Sequence, residues 1–284
     1  MRTPISDKKV AIVTGASRGL GLAIVRGLCR TFRGHVYLTA LNSEEAEDAI
    51  SQLRWEGLDP KFYQLDITDK CQVEKLGEFL KNYYGNIDIL VNNAGIAYTS
   101  KDVESFSTQA AMTCRTNFYG TLHVCKILFP LLRSHSRVVN ISSNVAKIAM
   151  AMCSDQVRDR LTDSNLTMTE LQQLIHSYVK ATESGTQVEE GWPITPYAVS
   201  KIGITVMTFI QQREFHQNIR SDIRSDIVVN ACCPGFISTA MTRHRGTASP
   251  DQGADTPLFL ANLPMETTSP CGDYVMNREV QSWG

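Results

Sequence analysis

Short apolar, largely β-branched runs alternate with longer stretches in which apolar residues recur at helical spacing. This alternation constrains the chain more than any other feature. The runs at 10–14, 35–39, 61–65, 87–91, 137–141 and 227–233 read as strands, with a weaker one at 274–276. Continuous apolar runs such as VAIVTG and IVVNACC suit strands buried on both faces. Helical spacing covers 21–32, 43–56, 73–84, 110–132 and 196–213. Strand–helix alternation implies parallel strands joined by right-handed crossovers, hence an α/β chain built on a doubly wound parallel sheet. Length alone, 284 residues, suggests about two domains. The alternation runs through the chain without an internal repeat, however, so a single domain over 1–284 is expected. The rhythm breaks at about 144–192, which is polar and mixed. Within it TMTELQQLIHSYVKAT has helical spacing, and Thr167 followed by Glu170 predicts a capping box. This stretch reads as a helical insertion, too short to stand alone.

Composition removes several function classes. The chain is 43% hydrophobic and 20% charged, with a formal net charge of -1. Lys and Arg are spread rather than clustered, which argues against a nucleic-acid surface. No apolar run approaches the roughly 20 residues that span a bilayer. The first nine residues lack the apolar core of a signal peptide, so a cytosolic location with reduced thiols is expected. The eight cysteines include no CxxC pair. Cys232 and Cys233 are strand neighbours that point to opposite faces, so no metal site is expected. One of these two thiols, at the end of its strand, is expected within reach of alkylating reagents; inert core thiols are the alternative.

The first strand runs directly into Thr14-Gly15-Ala16-Ser17-Arg18-Gly19-Leu20-Gly21, which opens an amphipathic helix. Glycines at a first βα turn permit a tight turn and close backbone approach to a pyrophosphate, and the helix N-terminus favours the anion. The spacing is GxxxGxG rather than GxGxxG. After the second strand, readers of NAD place an acid for the ribose hydroxyls. Here the stretch reads Thr39-Ala40-Leu41-Asn42, with no acid before Glu44. Arg18 in the glycine loop can pair with a 2′-phosphate, so NADP is favoured over NAD. Asp66 and Ile67, closing the third strand, are placed to contact the adenine.

Tyr197 and Lys201 stand four residues apart on a helix that Thr195 and Pro196 begin, so phenol and ammonium share a face. A neighbouring cation is expected to lower the phenol pKa toward working pH. The fifth strand ends Asn140-Ile141-Ser142-Ser143, at the strand end where open α/β sheets bind ligands; a serine there can bond a substrate oxygen. Asn117 lies within a helical stretch, where asparagine is a poor helix former, and is a candidate polar group of the site.

Taken together, TGxxxGxG, NNAG, Asn117, NISS, YxxxK and Pro234-Gly235 closely resemble the short-chain dehydrogenase/reductase family. GLAIVRGLCR, LVNNAGIA, EEGWP and VNACCPG further resemble its monomeric, NADPH-dependent carbonyl reductases. The resemblance implies a Rossmann-like fold and reduction of aldehydes, ketones or quinones to alcohols. It implies Tyr197 as proton donor, Lys201 as its pKa tuner and ribose ligand, and Ser143 rather than Ser142 on the carbonyl oxygen. Asn117 would anchor a water that relays protons to Lys201. Cofactor contacts would come from Gly15, Ser17, Arg18, Gly19, Leu20, Gly21, Asp66, Ile67, Asn93, Ile237, Ser238 and Thr239, besides Tyr197 and Lys201. Many relatives carry an arginine where this chain has Leu41, which leaves Arg18 with Ser17 to hold the 2′-phosphate. An NAD-linked alcohol or steroid dehydrogenase and a non-catalytic dinucleotide sensor are the competing readings; the intact Asn117, Ser143, Tyr197 and Lys201 set weighs against the second.

The insertion carries an expectation about assembly. Met168, Leu171, Leu174, Ile175 and Val179 form one apolar stripe. Docking it on the parent domain avoids an association entropy of roughly 4–15 kcal/mol, so a monomer is expected, with the insertion walling the substrate cleft.

Overall fold

The computed structural model describes residues 8–99, 102–218 and 226–283. β1 (Lys9–Val13) leads to α1 (Gly19–Thr31), β2 (Gly34–Ala40) to α2 (Ser43–Trp55) and β3 (Lys61–Gln64) to α3 (Lys70–Tyr83). After β4 (Ile87–Asn92) come α4 (Phe106–Thr113), a π-helical stretch at Cys114–Gly120, α5 (Thr121–Leu128) and a 3₁₀ turn at Phe129–Leu131. β5 (Leu132–Ile141) is followed by α6 (Asn144–Ala151), α7 (Asp155–Thr162), α8 (Met168–Ser184) and α9 (Pro196–Asn218). β6 (Val228–Cys233), α10 (Pro250–Gly253), α11 (Asp255–Ala261), β7 (Tyr274–Met276) and β8 (Glu279–Gln281) complete the described fold.

The strands form one sheet in the order β3-β2-β1-β4-β5-β6-β7-β8. All neighbours pair in parallel except β7 with β8. Alternation along β1 shows why both faces are apolar. Val10 and Ile12 pack with Leu76, Leu80 and Val124 on one side, and Ala11 and Val13 with Ile24, Leu28 and Leu53 on the other. Helices start where the sequence supplies caps: the Asn42 side chain accepts from Glu44 and Glu45 N–H, and the Asp69 carboxylate from Cys71 and Gln72.

Three departures from the sequence reading have local causes. The continuous helix over 110–132 does not exist. Ser105 caps an earlier start, the helix widens at Cys114–Gly120, and it stops at Leu128 ahead of Pro130. β5 accordingly begins at Leu132, paired with Ile87, five residues before the predicted strand. β8 and the helices α10 and α11 went unpredicted. β8 returns through a two-residue turn, Asn277-Arg278, with both φ positive at 53° and 63°, a geometry usually signalled by glycine. Ser249 and Gln252 form the capping box of α10.

The capping box at Thr167 and Glu170 is present, with both reciprocal bonds. From it α8 lays Leu171, Leu174, Ile175 and Tyr178 into a cluster with Phe118, Ile202, Val206 and Ile210. Met168 and Val179 are partly buried at its edge. The stripe of the insertion is thus covered by α4, the π-helical stretch and α9 of the same chain.

Candidate active site

The strand order reverses between β1 and β4, so the crevice beyond their C-terminal ends is the switch point at which open α/β sheets bind ligands. The loop after β1 is built for close approach. Gly15 and Gly19 have φ of 62° and 57°. A Cβ on Gly15 would lie 2.7 Å from the Ala94 Cα, and one on Gly21 would lie 2.5 Å from both the Asn93 Nδ2 and the Gly15 carbonyl oxygen. Asn93 braces the loop: its Nδ2 donates to the carbonyls of Thr14 (2.9 Å) and Gly15 (2.8 Å). In return the Thr14 hydroxyl accepts from the N–H of Asn93 and of Ala94, each at 3.0 Å. Arg18 precedes α1 and gives its first turn no side-chain cap, so the helix start keeps donors for an anion. Thr239, from the loop after β6, faces Gly19: a Cβ there would lie 3.3 Å from its Cγ2. A glycine cradle of this kind, with an uncapped helix start, fits a dinucleotide pyrophosphate.

Other sequence-predicted cofactor residues are placed as follows. The Asp66 carboxylate accepts from the N–H and hydroxyl of Thr68 at 2.7 and 2.8 Å, shaping the loop after β3. Ile67 is a core residue, 5% exposed, with its side chain against Gly120. Ile237 is likewise buried, against Gly253, while Ser238 N–H donates to the Ala248 carbonyl. Ser17 and Arg18 both bond the Glu45 carboxylate, a partner the sequence did not reveal.

At the strand ends, the two serines of NISS part company. Ser142 is buried and bonds the Thr205 hydroxyl (2.6 Å) and donates to the Lys201 carbonyl (3.2 Å), so it ties β5 to α9. Ser143, on the opposite side of the extended backbone, caps α6 and sets its hydroxyl beside the Tyr197 phenol, whose pKa it lowers. Lys201 is 4% exposed; its Nζ donates to the Ile141 carbonyl at 2.6 Å and stands 5.7 Å from the centre of the Tyr197 ring. Asn117 lies in the π-helical stretch, fully buried. Its Oδ1 accepts from Ile96 N–H (2.8 Å), and its Nδ2 donates to the Ile96 carbonyl (3.0 Å) and the Ser200 hydroxyl (2.9 Å). The side-chain amide is therefore committed to protein partners. Gly95 leaves the space between: a Cβ there would lie 3.0 Å from the Asn117 Oδ1 and 3.7 Å from the Lys201 Nζ.

Electrostatics at the site correct a further expectation. Burial pushes the Tyr197 phenol up to about 12; the nearby Cys233 thiol adds to this and the Ser143 hydrogen bond opposes it. Burial also pulls Lys201 down to about 8. Desolvation sets the direction of the Tyr197 shift, and the phenol holds its proton at neutral pH. The expected accessible thiol is also absent from this strand end. Cys232 is fully buried, with burial pushing its thiol up, and Cys233 is 4% exposed, its Sγ accepting from the N–H of Asn144 and Gly235.

A doubly wound sheet with a glycine cradle at its switch point and a buried lysine beneath a half-buried tyrosine defines a dinucleotide-dependent oxidoreductase. The chain belongs to the short-chain dehydrogenase family, whose model matches residues 9–155. It is 44% identical over 278 residues to carbonyl reductase (NADPH) 1 of Oryctolagus cuniculus, covering 98% of this chain and 99% of that protein. The Homo sapiens carbonyl reductase (NADPH) 1 is 43% identical over 274 residues, covering 96% and 98%. Among solved structures, menthone neomenthol reductase from Mentha piperita superposes with a TM-score of 0.78 at 26% identity, covering 96% of this chain and all of that one. Salutaridine reductase from Papaver somniferum gives 0.83 at 24%, covering 94% and 99%, and shows the fold.

Proposed function

We propose that the chain reduces aldehydes, ketones and quinones to alcohols with NADPH. The observation that carries this reading is the Tyr197 phenol, kept protonated beside Ser143 at the end of β5, with Lys201 under its ring. Gly15, Gly19, Gly21, Asn93 and Thr239 would hold the dinucleotide backbone, with Ser17 and Arg18 at its 2′-phosphate. NADPH bound there supplies the hydride. The chain's own residues do the rest. The Ser143 and Tyr197 hydroxyls hold the carbonyl oxygen. As that oxygen gains charge it becomes far more basic than a phenolate and takes the Tyr197 proton. The charged form of Lys201 then steadies the phenolate. Asn117 acts as a positioning residue that fixes Ile96 and Ser200 around Lys201.

The side chains leaving Ser143 and approaching Tyr197 favour apolar substrates. Val145 and Ile148 on α6, Met152 just after it, Ile194 before α9, and Phe236 and Met241 after β6 are 42–64% exposed. The insertion, residues 144–192, would wall the cleft, and α8 covers in cis a helix surface that a second subunit could otherwise use, which supports a monomer. A cytosolic location fits the unpaired cysteines, and among the described residues no helix is long and apolar enough to cross a membrane.

The test is NADPH oxidation with menadione and a carbonyl panel, run beside Tyr197→Phe. Turnover by the parent and a loss of about a hundredfold or more in the variant, with NADPH binding retained, are expected. Binding of NADPH without oxidation by any carbonyl would favour a dinucleotide sensor. A variant keeping a tenth of the activity would remove Tyr197 from the role of proton donor.

A further inference from the structure

We infer that Glu45 is a specificity-determining residue at the adenosine end of the cofactor site: its carboxylate holds the two donors that would otherwise recognise a 2′-phosphate. The inference rests on the NADPH reading above.

The geometry begins with the helix cap. Asn42 accepts from the N–H of Glu44 (2.7 Å) and Glu45 (3.3 Å), which fixes the first turn of α2. From that turn Glu45 reaches back to the glycine loop. One carboxylate oxygen accepts from the Ser17 hydroxyl at 3.2 Å, and the other from the Arg18 Nη1 at 3.2 Å. Two donors converging on two oxygens of one anion is also how a phosphate monoester would be bound here. Leu41, at the end of β2 and 64% exposed, contributes no compensating charge. Glu44, on the same turn, adds a second negative group beside the crevice formed with Leu41, Asn42, Ser43 and Gln64.

The consequence is a competition. A cofactor bearing a 2′-phosphate must displace Glu45 from Ser17 and Arg18, or share them with a neighbouring carboxylate that repels it. A cofactor with free ribose hydroxyls meets neither penalty. The Arg18–Glu45 pair is exposed, 71% and 45% for the two side chains, so its cost is modest, up to about fivefold in an equilibrium constant. Repulsion of the dianionic phosphate adds to this. Glu45 therefore narrows the preference for NADPH over NADH without abolishing it.

The test is Glu45→Gln in the full chain, with binding of 2′,5′-ADP and of 5′-ADP measured by calorimetry at low salt. Glutamine keeps the shape and one acceptor but removes the charge, and a thermal melt checks that the variant is folded. We expect 2′,5′-ADP to bind about three- to tenfold tighter and 5′-ADP to change by less than about twofold. In an Arg18→Ala background the same substitution should give a much smaller gain, because the competition is for that guanidinium. Weaker binding of 2′,5′-ADP by Glu45→Gln would overturn the inference, since Glu45 would then be orienting Arg18 for the phosphate. Equal changes for the two nucleotides would overturn it as well. Because these are binding measurements, they stand apart from turnover. A chain that binds 2′,5′-ADP as expected yet oxidises NADPH with no carbonyl would fail as a reductase while keeping Glu45 as a cofactor selector.

Discussion

Asn93 offers the sharpest test of how the cofactor loop is held. Replacing it with alanine removes both hydrogen bonds to the Thr14 and Gly15 carbonyls. Thr14 is 2% exposed, so water cannot replace the lost donor at its carbonyl, and the cost there is about 1–3 kcal/mol. Gly15 is exposed, so water can serve its carbonyl, and the loss there is about 0.5–1 kcal/mol. A total of about 1.5–4 kcal/mol corresponds to a fall of about 3–16 °C in melting temperature for a chain of this size. The loop that loses this brace is the one that must be pre-shaped for the pyrophosphate, so NADPH should bind at least about tenfold more weakly. Asn93→Asp should be worse than Asn93→Ala. It keeps the shape, supplies no donor, and sets a carboxylate against two carbonyls and an incoming anion. Calorimetric melts of the ligand-free variants, followed by NADPH titration, separate bracing from direct contact. If Asn93→Ala melts within about 2 °C of the parent while losing NADPH affinity, Asn93 touches the cofactor without bracing the loop and the reasoning fails.

Other outcomes follow from the same geometry. Ser143→Ala should cost about a hundredfold in kcat and about 0.5–2 kcal/mol of stability with the lost α6 cap, whereas Ser142→Ala should lose about 1–2 kcal/mol through Thr205 and keep kcat; a kcat loss confined to Ser142→Ala would exchange their roles. Ile175→Ala, in the fully buried face of α8, should lower stability by about 2–5 kcal/mol in denaturant titration, and a loss under 1 kcal/mol would show that the insertion is only loosely attached. The pH profile of kcat/KM for NADPH, which reports the free enzyme, should fall on its alkaline side near pH 8. Lys201 is depressed to about 8 and sheds its charge as pH rises through that value, while Tyr197, pushed up to about 12, remains protonated; a profile flat to pH 10 would contradict this.

Much of this architecture is written locally. Strands buried on both faces announce themselves as unbroken apolar runs, and the Thr167–Glu170 box marks the start of α8 without reference to anything distant. What was not legible depends on partners far along the chain. Within the π-helical stretch Asn117 bonds Ile96 and Ser200, partners far away in sequence that no helical periodicity over 110–132 could reveal. Pro130 was a visible stop signal that the periodicity overrode. The distinct tasks of Ser142 and Ser143 follow from which face of β5 each occupies, and that is set by sheet register. Glu45 lies nearly thirty residues from Ser17 and Arg18, and only the packing of α2 beside the glycine loop brings them together. The phenol pKa was misjudged for a related reason: spacing shows that a lysine is close, but how much water has been excluded is a property of the assembled core.

The reversal of strand order between β1 and β4 has a further consequence, for the way the protein is made. The groups that meet in the crevice come from the end of β1, the start of α2, the end of β4, the π-helical stretch, the end of β5, the start of α9 and the loop after β6. None of these neighbours another in sequence, and parallel pairing forms late because long loops must close first. During synthesis the glycine loop and its Asn93 brace emerge first, Tyr197 later, and Thr239, which faces Gly19, last, so the cradle and the proton donor are completed together only after β6 is made. Competence arrives only when α9 docks against β5 and Lys201 reaches the Ile141 carbonyl, so a product that stops before α9 lacks Tyr197, Lys201 and Thr239 together.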